Sequence, residues 1–299
     1  MIKSFSFLGN LLAVAGVILI NSPATGDNNF GSVHLILGNP SGATQDSDNA
    51  DNLLLIKKQN ALSYNKSKSI ANWVSWQLNK KWLGGVPRCR KGEENGFSPD
   101  NTLPRGFKPV LPTDYKGSGF DRGHLTPSAD RNNNTTDNCA VFQMTNIIPQ
   151  SPDVNQGPWE KLERYSRELA GEGKELYIIA GGAGTGGQGT NGFKSTFTGR
   201  SSGNKINVPA SSWKVILVLD KPELGLKGVT KDTRIIAVNM PHKQGVKQDS
   251  WSIKEPNNGK FRYITSVDEI EKLTGYDLFS NVPKDIQDVI EAKIDRGAS

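Results

Sequence analysis

Three stretches of this chain are almost uninterrupted runs of Ile, Val and Leu. They are ELYIIAGG at 175–182, KVILVLD at 214–220 and TRIIAVNMP at 233–241. Such runs are typical of central strands that are buried on both faces. A fourth segment, WVSWQLN at 73–79, alternates apolar Val74, Trp76 and Leu78 with polar residues. That period of two predicts a half-buried strand.

Three further segments have the apolar spacing of helices, and they cover 159–170, 266–275 and 285–294. In the first, apolar residues recur at steps of three and four, and Pro158 stands in the first turn, where its missing N–H is tolerated. In the second, Ser266 is placed as the N-cap, Glu269 follows it by three residues, and Gly275 is the stop signal.

The mixed order of strands and helices predicts an α+β architecture, with helices packed against a central sheet. Loops are predicted at 21–32 and 41–52, which are rich in Asn, Asp, Ser and Gly, with a short strand at 33–38 between them. The 299 residues contain 35% hydrophobic side chains, no internal repeat and no long linker. We therefore expect one domain from about residue 30 onward.

The first 24 residues have the features of a secretory signal peptide. A single charge at Lys3 precedes an apolar run that ends near Ile20, and small residues at Ser22 and Ala24 suit a signal peptidase. An N-terminal membrane anchor is the alternative. No later segment approaches the roughly 18 apolar residues that a membrane span needs. We therefore expect residues 25–299 to be a single mature domain, secreted or periplasmic, without stable membrane association.

The chain is basic, with 36 Lys and Arg residues against 30 Asp and Glu residues. Removing residues 1–24 removes one charge, Lys3, so the formal net charge falls from +6 to +5. A basic exported protein suits a polyanionic partner. In an oxidising compartment the two cysteines, Cys89 and Cys139, favour a single disulfide, with two independent buried thiols as the alternative.

Several familiar catalytic patterns are missing or incomplete. GAGTGG at 182–187 matches the dinucleotide-binding G-x-G-x-x-G, but no helical period follows it and Asp220 is too far along the chain to bind the ribose. We interpret it as a surface hairpin or loop. The absence of H-E-x-x-H and C-x-x-C argues against zinc hydrolases. His34 and His242 are interpreted as isolated surface or packing residues.

The remaining histidine, His124, lies in DRGHLTPSADR at 121–131 and has no nucleophile of a usual type to activate, so water is the candidate. Further on, Asn155, Glu163 and Arg167 are separated by eight and four residues, which places them on roughly one helical face. That face offers a neutral oxygen ligand, an acid and a guanidinium. The alternative is an ordinary exposed Glu–Arg pair that stabilises its helix by a few tenths of a kcal/mol.

DRGHLTPSADR, followed by TDNCAVFQMTNIIPQSPDVNQGPWEKLERYSREL at 136–169, resembles the DNA/RNA non-specific endonuclease family. These ββα-metal nucleases share D-R-G-H followed by N, E and R, and the likeness is closest to the secreted, sugar-nonspecific nucleases of the cyanobacterial type. It extends from 32–44 through 61–84 to 267–283, nearly the whole mature chain. The resemblance implies the ββα-metal nuclease fold, with a central mixed or antiparallel sheet flanked by helices.

The resemblance also implies roles for single residues. His124 would be the general base, and Asn155 would be the one direct protein ligand of a divalent metal. Glu163 would orient a water on that metal, and Arg167 would stabilise the charge on the phosphate. Each assignment is carried over by position in the motif.

The resemblance further implies an arginine after the WLG stretch. Arg88 is the better match, but Arg90 stands two residues away in a loop that departs from the family pattern, so both stay open. Asp121 and Arg122 also match the motif, and we expect them to support the loop of His124 and to form the substrate-binding wall.

The implied enzyme is secreted, hydrolyses the phosphodiester bonds of DNA and RNA, and leaves 5′-phosphate ends. Mg²⁺ is the expected cofactor, with Mn²⁺ as a substitute, because one amide oxygen and several waters suit an ion that dehydrates reluctantly. The expected partners are DNA and RNA, contacted through their phosphates. A monomer is expected, and the existence of a protein inhibitor stays open. The alternative is a catalytically inactive, extracellular nucleic-acid-binding protein on the same scaffold.

Overall fold

The computed structural model describes residues 31–90, 94–255 and 258–296. The signal peptide predicted at 1–24 and most of the loop predicted at 21–32 lie outside these residues. Within the described residues, no helix combines the length and the apolar character that crossing a membrane requires.

The strands are β1 Leu53–Ile56, β2 Ala61–Asn65, β3 Ile70–Leu78, β4 Asp121–His124, β5 Ile147–Gln150, β6 Glu175–Ala183, β7 Gly187–Gly189, β8 Gly192–Lys194, β9 Thr196–Thr198, β10 Lys205–Asn207, β11 Ser211–Leu219, β12 Arg234–Pro241 and β13 Ile264–Thr265. The helices are α1 Thr135–Ala140, α2 Pro152–Val154, α3 Glu160–Gly171, α4 Val267–Thr274 and α5 Lys284–Ile290. A π-helical turn, Asn155–Trp159, joins α2 to α3. Short 3-10 helices cover Val33–Leu35, Lys80–Trp82, Pro112–Tyr115, Ser128–Arg131, Met144–Asn146 and Gly225–Gly228.

A seven-stranded antiparallel sheet forms the centre, in the order β1-β2-β3-β6-β11-β12-β13. The predicted α+β class is therefore confirmed, and so are all four strands predicted from the runs and the alternation. The half-buried character predicted at 73–79 was wrong, because β3 packs into both core clusters, with Trp73 on one face and Val74 on the other.

The nearly continuous apolar runs form β6, β11 and β12. Both faces of these strands are apolar because the sheet is covered on both sides. Ile216 and Val218 of β11 belong to one core cluster, and Val215 and Leu217 belong to the other.

The two faces carry different parts of the chain. On the first face lie Ile147 and Ile148 of β5 and Leu162 of α3, so the β4–β5 hairpin and α3 pack there. On the second face, α4 and α5 contribute Ile270 and Ile290. The hairpin and α3 therefore lie on the same face of the sheet, and the C-terminal helices lie on the other face.

Helix boundaries follow the local chemistry of their ends. The side chain of Ser266 accepts a hydrogen bond from the N–H of Glu269, and Gly275 ends α4 with φ of 75°, as predicted. The helix predicted at 159–170 begins one residue later. The helix predicted at 285–294 was too long, since α5 ends at Ile290.

The strand predicted at 33–38 was wrong. Residues Val33–Leu35 form a 3-10 turn because the side chain of Ser32 accepts a hydrogen bond from the N–H of His34 and caps it. Leu35 is still fully buried in the second core cluster. The apolar pattern therefore identified a core contact, but the local cap decided the backbone.

Cys89 and Cys139 form a disulfide, with their Cα atoms 5.1 Å apart. The alternative of two independent thiols was therefore wrong. The bridge ties the segment after the 3-10 helix Lys80–Trp82 to α1. The N–H of Cys89 also donates to the side-chain oxygen of Asn138, at 2.7 Å.

Candidate active site

The DRGH segment forms β4, and its glycine is required because the side chain of Gln150 lies directly against it. In the β4–β5 hairpin, Asp121 pairs with Gln150 and His124 with Ile147. A Cβ on Gly123 would lie 2.1 Å from Oε1 of Gln150. Gln150 cannot easily move, because it is fully buried and donates to the hydroxyl of Ser212 at 2.9 Å. The glycine therefore lets β4 pass over Gln150 and brings His124 to the end of the hairpin.

His124 is held by aromatic packing and has an unused ring nitrogen. Its ring meets Phe142 edge to face at 4.7 Å and Phe97 at 5.2 Å, between centroids. The side chain is buried, and Nε2 has no hydrogen-bond partner among the described residues. Burial, together with the charges of Arg88 and Arg122, holds the pKa of His124 well below 6.5. The imidazole is therefore neutral at pH 7, the form that a general base requires, while the lowered pKa also makes it a weaker base.

Asn155 stands at the start of the π-helical turn, with its amide group oriented by a carboxylate. Its Nδ2 donates to Oδ2 of Asp121 at 2.8 Å, and Nε2 of Gln156 donates to the same oxygen at 2.8 Å. Because the NH₂ group is committed to Asp121, the amide oxygen is left as a ligand. Gly157 makes the kink, with φ of −121° and ψ of −110°, and a Cβ there would lie 2.6 Å from the carbonyl oxygen of Lys247.

Glu163 and Arg167 lie one turn apart on α3, but each has a different ionic partner. The carboxylate of Glu163 is 3.8 Å from Nζ of Lys214, and Nη1 of Arg167 donates to Asp130 at 3.2 Å. The alternative of an ordinary exposed Glu–Arg pair was therefore wrong. Burial raises the pKa of Glu163 to about 7, against the opposing effect of the Lys214 and Arg167 cations.

Lys214 lies beside Glu163, and the sequence did not identify it as part of the site. It is 1% exposed in β11, and its ammonium lies 4.0 Å from the ring centroid of Trp159 and 5.7 Å from that of Trp76. Burial lowers its pKa, while Glu163 opposes that change. The available signal was a lone cation inside the apolar run KVILVLD, since a buried lysine in a central strand requires a partner.

Asp130 and Glu94 are two further partners that the motif did not reveal. Asp130 accepts from Nε1 of Trp76 at 3.0 Å besides its contact with Arg167. Glu94 accepts from Nη1 of Arg122 at 3.1 Å. Asp130 lies in the 3-10 helix Ser128–Arg131 and Glu94 lies in a turn, and sequence spacing does not relate either acid to the arginine that it contacts.

The structure places Arg88 and Arg90 in different surroundings. The guanidinium of Arg88 lies 4.5 Å from the ring centroid of Phe142 and lines the same cleft as His124. Both arginines line a neighbouring pocket beside Cys89 and Thr135, but Arg90 is not among the residues that line the cleft of His124. Arg122 lies 4.3 Å from the ring centroid of Phe97, so two cations flank the aromatic rings that hold His124.

Six of the seven residues proposed from the sequence line one cleft of about 450 Å³. They are Arg88, Arg122, His124, Asn155, Glu163 and Arg167. The seventh, Asp121, lines an adjoining pocket and holds Asn155 from behind. Three cations, a neutral imidazole, an amide oxygen and a carboxylate thus face one space. Hard oxygen donors of this kind suit a divalent cation such as Mg²⁺, and the cations suit an anionic substrate.

Residues 38–285 match the family model described as DNA/RNA non-specific endonuclease. A nuclease of Nostoc sp. is 50% identical over 264 residues, which are 88% of this chain and 86% of that protein. A nuclease of Serratia marcescens is 26% identical over 295 residues, 96% of this chain and 95% of that protein. The crystal structure of the EndoG/EndoGI complex matches 84% of this chain and 91% of its own, with a TM-score of 0.62 at 20% identity. The expected ββα-metal nuclease fold is thereby confirmed.

Proposed function

This chain belongs to the DNA/RNA non-specific endonuclease family and is a nuclease, and we propose that His124 is its general base and Asn155 the protein ligand of its divalent metal. The observation that carries the proposal is the buried Nε2 of His124, which has no partner among the described residues. His124 lines a cleft together with Asn155 and three arginines, Arg88, Arg122 and Arg167.

In this proposal His124 takes a proton from the water that attacks phosphorus. A neutral imidazole is required, and the low pKa of His124 keeps it neutral. General-base assistance of this kind typically contributes a rate factor of about 10² to 10⁴. Phe97 and Phe142 fix the ring, so the lone pair is oriented before substrate arrives.

Members of this family require a divalent metal, and here Asn155 would hold it, with Glu163 orienting water beside it. When bound, the ion stabilises negative charge on the phosphate and on the leaving 3′ oxygen. A neutral amide ligand leaves the ion its full charge. We propose Mg²⁺, with Mn²⁺ as a substitute, because few protein ligands and retained waters suit these ions. Asp121 fixes the amide so that its oxygen is presented to the cleft.

The arginines are proposed to bind phosphate oxygens. Arg167 and Arg88 have planar groups suited to bidentate contacts, and Arg122 forms the adjacent wall. Contacts with phosphates do not depend on the base or the sugar, so DNA and RNA are both substrates. Cleavage of the bond to the 3′ oxygen leaves 5′-phosphate ends. Binding through phosphates also implies an affinity that falls steeply as the salt concentration rises.

Export and partners belong to the same proposal. We propose that the chain acts in the periplasm or the medium, which its predicted signal peptide and its disulfide support. We also propose that it acts as a monomer. The solved EndoG structure is a complex with an inhibitor, and a similar protein that closes the cleft is a proposed partner of this chain.

The decisive experiment compares wild type with His124→Ala and His124→Asn on plasmid DNA and on RNA, with Mg²⁺ present. We expect both variants to lose at least about 10²-fold in turnover while retaining DNA binding. That outcome separates a nuclease from a protein that only binds nucleic acid. Turnover that is unchanged in both variants would remove His124 from the mechanism.

A further inference from the structure

Outside the cleft, three carboxyl side chains converge where α4 and α5 meet. Asp268 and Glu271 stand three residues apart on one face of α4, and Glu291 follows directly after the end of α5. One ligand oxygen from each residue lies within 4.8 Å of the other two. Among the residues that the structure describes, no other set of three His, Cys, Asp or Glu side chains meets this spacing.

The backbone fixes Glu291 at this position. Its carbonyl oxygen accepts the N–H groups of Val267 and Asp268, at 3.0 and 3.2 Å. The end of α5 is therefore attached to the first turn of α4 by main-chain hydrogen bonds. The side chain of Glu291 is brought to the other two acids by this attachment.

Glu291 is also a buried acid with an unsatisfied oxygen. The residue is 4% exposed, and its Oε1 has no hydrogen-bond partner among the described residues. A buried carboxylate without a partner is strongly unfavourable. Burial and the neighbouring charge of Glu271 raise the pKa of Glu291 to about 7. An additional group with positive charge would relieve both effects.

The surrounding residues do not supply that charge. The nearby cation, Lys284, is bound at 2.6 Å by Asp288 on the same helix. Asp277 adds a further negative charge close to Glu291. Glu271 uses one oxygen to accept the N–H of Leu278 at 2.7 Å, which orients its carboxylate. The site is therefore acidic and partly ordered by the backbone, and Lys284, the cation that acts on Glu291 among the described residues, is already paired with Asp288.

We propose that Asp268, Glu271 and Glu291 bind a divalent cation, with Ca²⁺ as the ion that fits best. Ca²⁺ takes six to eight oxygen ligands in flexible geometry, and it accepts carboxylates with one or both oxygens and completes its shell with water. Mg²⁺ demands a near-ideal octahedron and gives up water reluctantly, so a site of three carboxylates suits it less well. The bound ion stabilises the packing of α4 against α5 and is separate from the nuclease reaction.

The experiment titrates the full chain with Ca²⁺ alone, by calorimetry and by thermal unfolding at pH 7.5. Wild type is expected to bind with a Kd on the order of 10⁻⁴ M and to gain about 5 °C in unfolding midpoint at saturating Ca²⁺. Glu291→Gln is expected to lose the gain and to bind at least about tenfold more weakly. Without Ca²⁺, Glu291→Gln should unfold no lower than wild type, because it removes like-charge repulsion.

Two controls separate this site from the cleft and from general effects of charge. Glu269→Gln removes an exposed acid of the same helix turn that is not one of the three proposed ligands, and it should retain the Ca²⁺ response. Asn155→Ala should also retain it, because the cleft is elsewhere. Glu291→Gln should retain Mg²⁺-supported cleavage, so failure of this proposal is distinct from failure of the proposed function.

If Glu291→Gln does not fold, Asp268→Asn replaces it, because Asp268 is exposed and its substitution leaves the core unchanged. A wild type without a Ca²⁺-dependent shift would overturn the proposal. A Ca²⁺ response that is unchanged in both Glu291→Gln and Asp268→Asn would also overturn it. So would a response that is lost in Asn155→Ala and kept in Glu291→Gln.

Discussion

At the scale of single residues, the three histidines differ in their surroundings. His34 contacts the carbonyl oxygen of Lys58 at 2.9 Å and accepts from the N–H of Gln77 at 3.1 Å, and His242 contacts the hydroxyl of Ser212 at 2.7 Å. Both are buried, which agrees with the interpretation of packing residues. Nδ1 of His242 and Nε2 of His124 both lack a partner in the described residues, but of the three histidines His124 is the one that lines the charged cleft.

Asn155 provides a test at the same scale. If its amide oxygen holds the metal, Asn155→Ala should raise the Mg²⁺ concentration for half-maximal cleavage by about tenfold or more. Gln156→Ala is the matched control, because Gln156 donates to the same oxygen of Asp121 but is exposed at the surface. Mg²⁺ titrations of plasmid cleavage measure both. An unchanged Mg²⁺ requirement in Asn155→Ala would refute direct ligation.

At the scale of elements, the site is built by a hairpin and a kinked helix. β4 carries His124 and Asp121, and the π-helical turn before α3 presents Asn155. The prediction that Asn155, Glu163 and Arg167 share one face depended on a single regular helix. Instead, Gly157 breaks the helical geometry between Asn155 and α3, yet all three residues face the cleft.

The hairpin itself is tested by Gly123→Ala. The added methyl group would overlap the side chain of Gln150, so we expect a loss of about 1 to 3 kcal/mol in the free energy of unfolding, together with reduced activity. Urea denaturation measures the loss. Gly171→Ala is the control, because no atom lies within 4 Å of its Cβ position.

A double variant sharpens the same test. Combining Gly123→Ala with Gln150→Ala removes the overlap, so the two losses should not add. Strict additivity of the two free-energy changes would contradict the assigned contact.

At the scale of the whole molecule, a covalent link fixes the wall that carries Arg88. The disulfide closes over a sequence separation of 50 residues. In the chain-entropy account, its removal in Cys89→Ser/Cys139→Ser should lower the free energy of unfolding by about 4 kcal/mol. Urea denaturation is the measurement, and unreduced wild type should show no reactive thiol. Equal stability with and without the bridge would refute the expected contribution.

The buried histidines make the stability of the folded chain depend on pH. Burial lowers the pKa of His34 and of His242 to about 4 in each case. The unfolded chain binds protons near pH 6.5 while the folded chain does not, so stability is complete above pH 6.5 and is lost as pH falls towards 4.

His242→Gln tests this dependence and keeps a group that can bind Ser212. Between pH 7 and pH 4.5 the variant should lose about 2 kcal/mol less stability than wild type. Urea denaturation at both values measures the difference. Parallel pH profiles would show that His242 does not contribute.

The sequence by itself determined the central strands, the α4 boundaries and the residues of the motif. These depend on short-range signals, namely apolar period, caps and residue types at fixed spacing. The resemblance added the family, which the comparisons confirmed. The strand at 33–38 failed because a cap at Ser32 overrode an apolar pattern.

Only the tertiary structure decided how distant parts of the chain meet. It distinguished Arg88 from Arg90, paired the cysteines, and brought Lys214 to Glu163 and Asp130 to Arg167. It also gathered the acids of α4 and α5. The physical reason is that charge compensation and burial depend on distances in space between segments, which spacing along the chain does not encode.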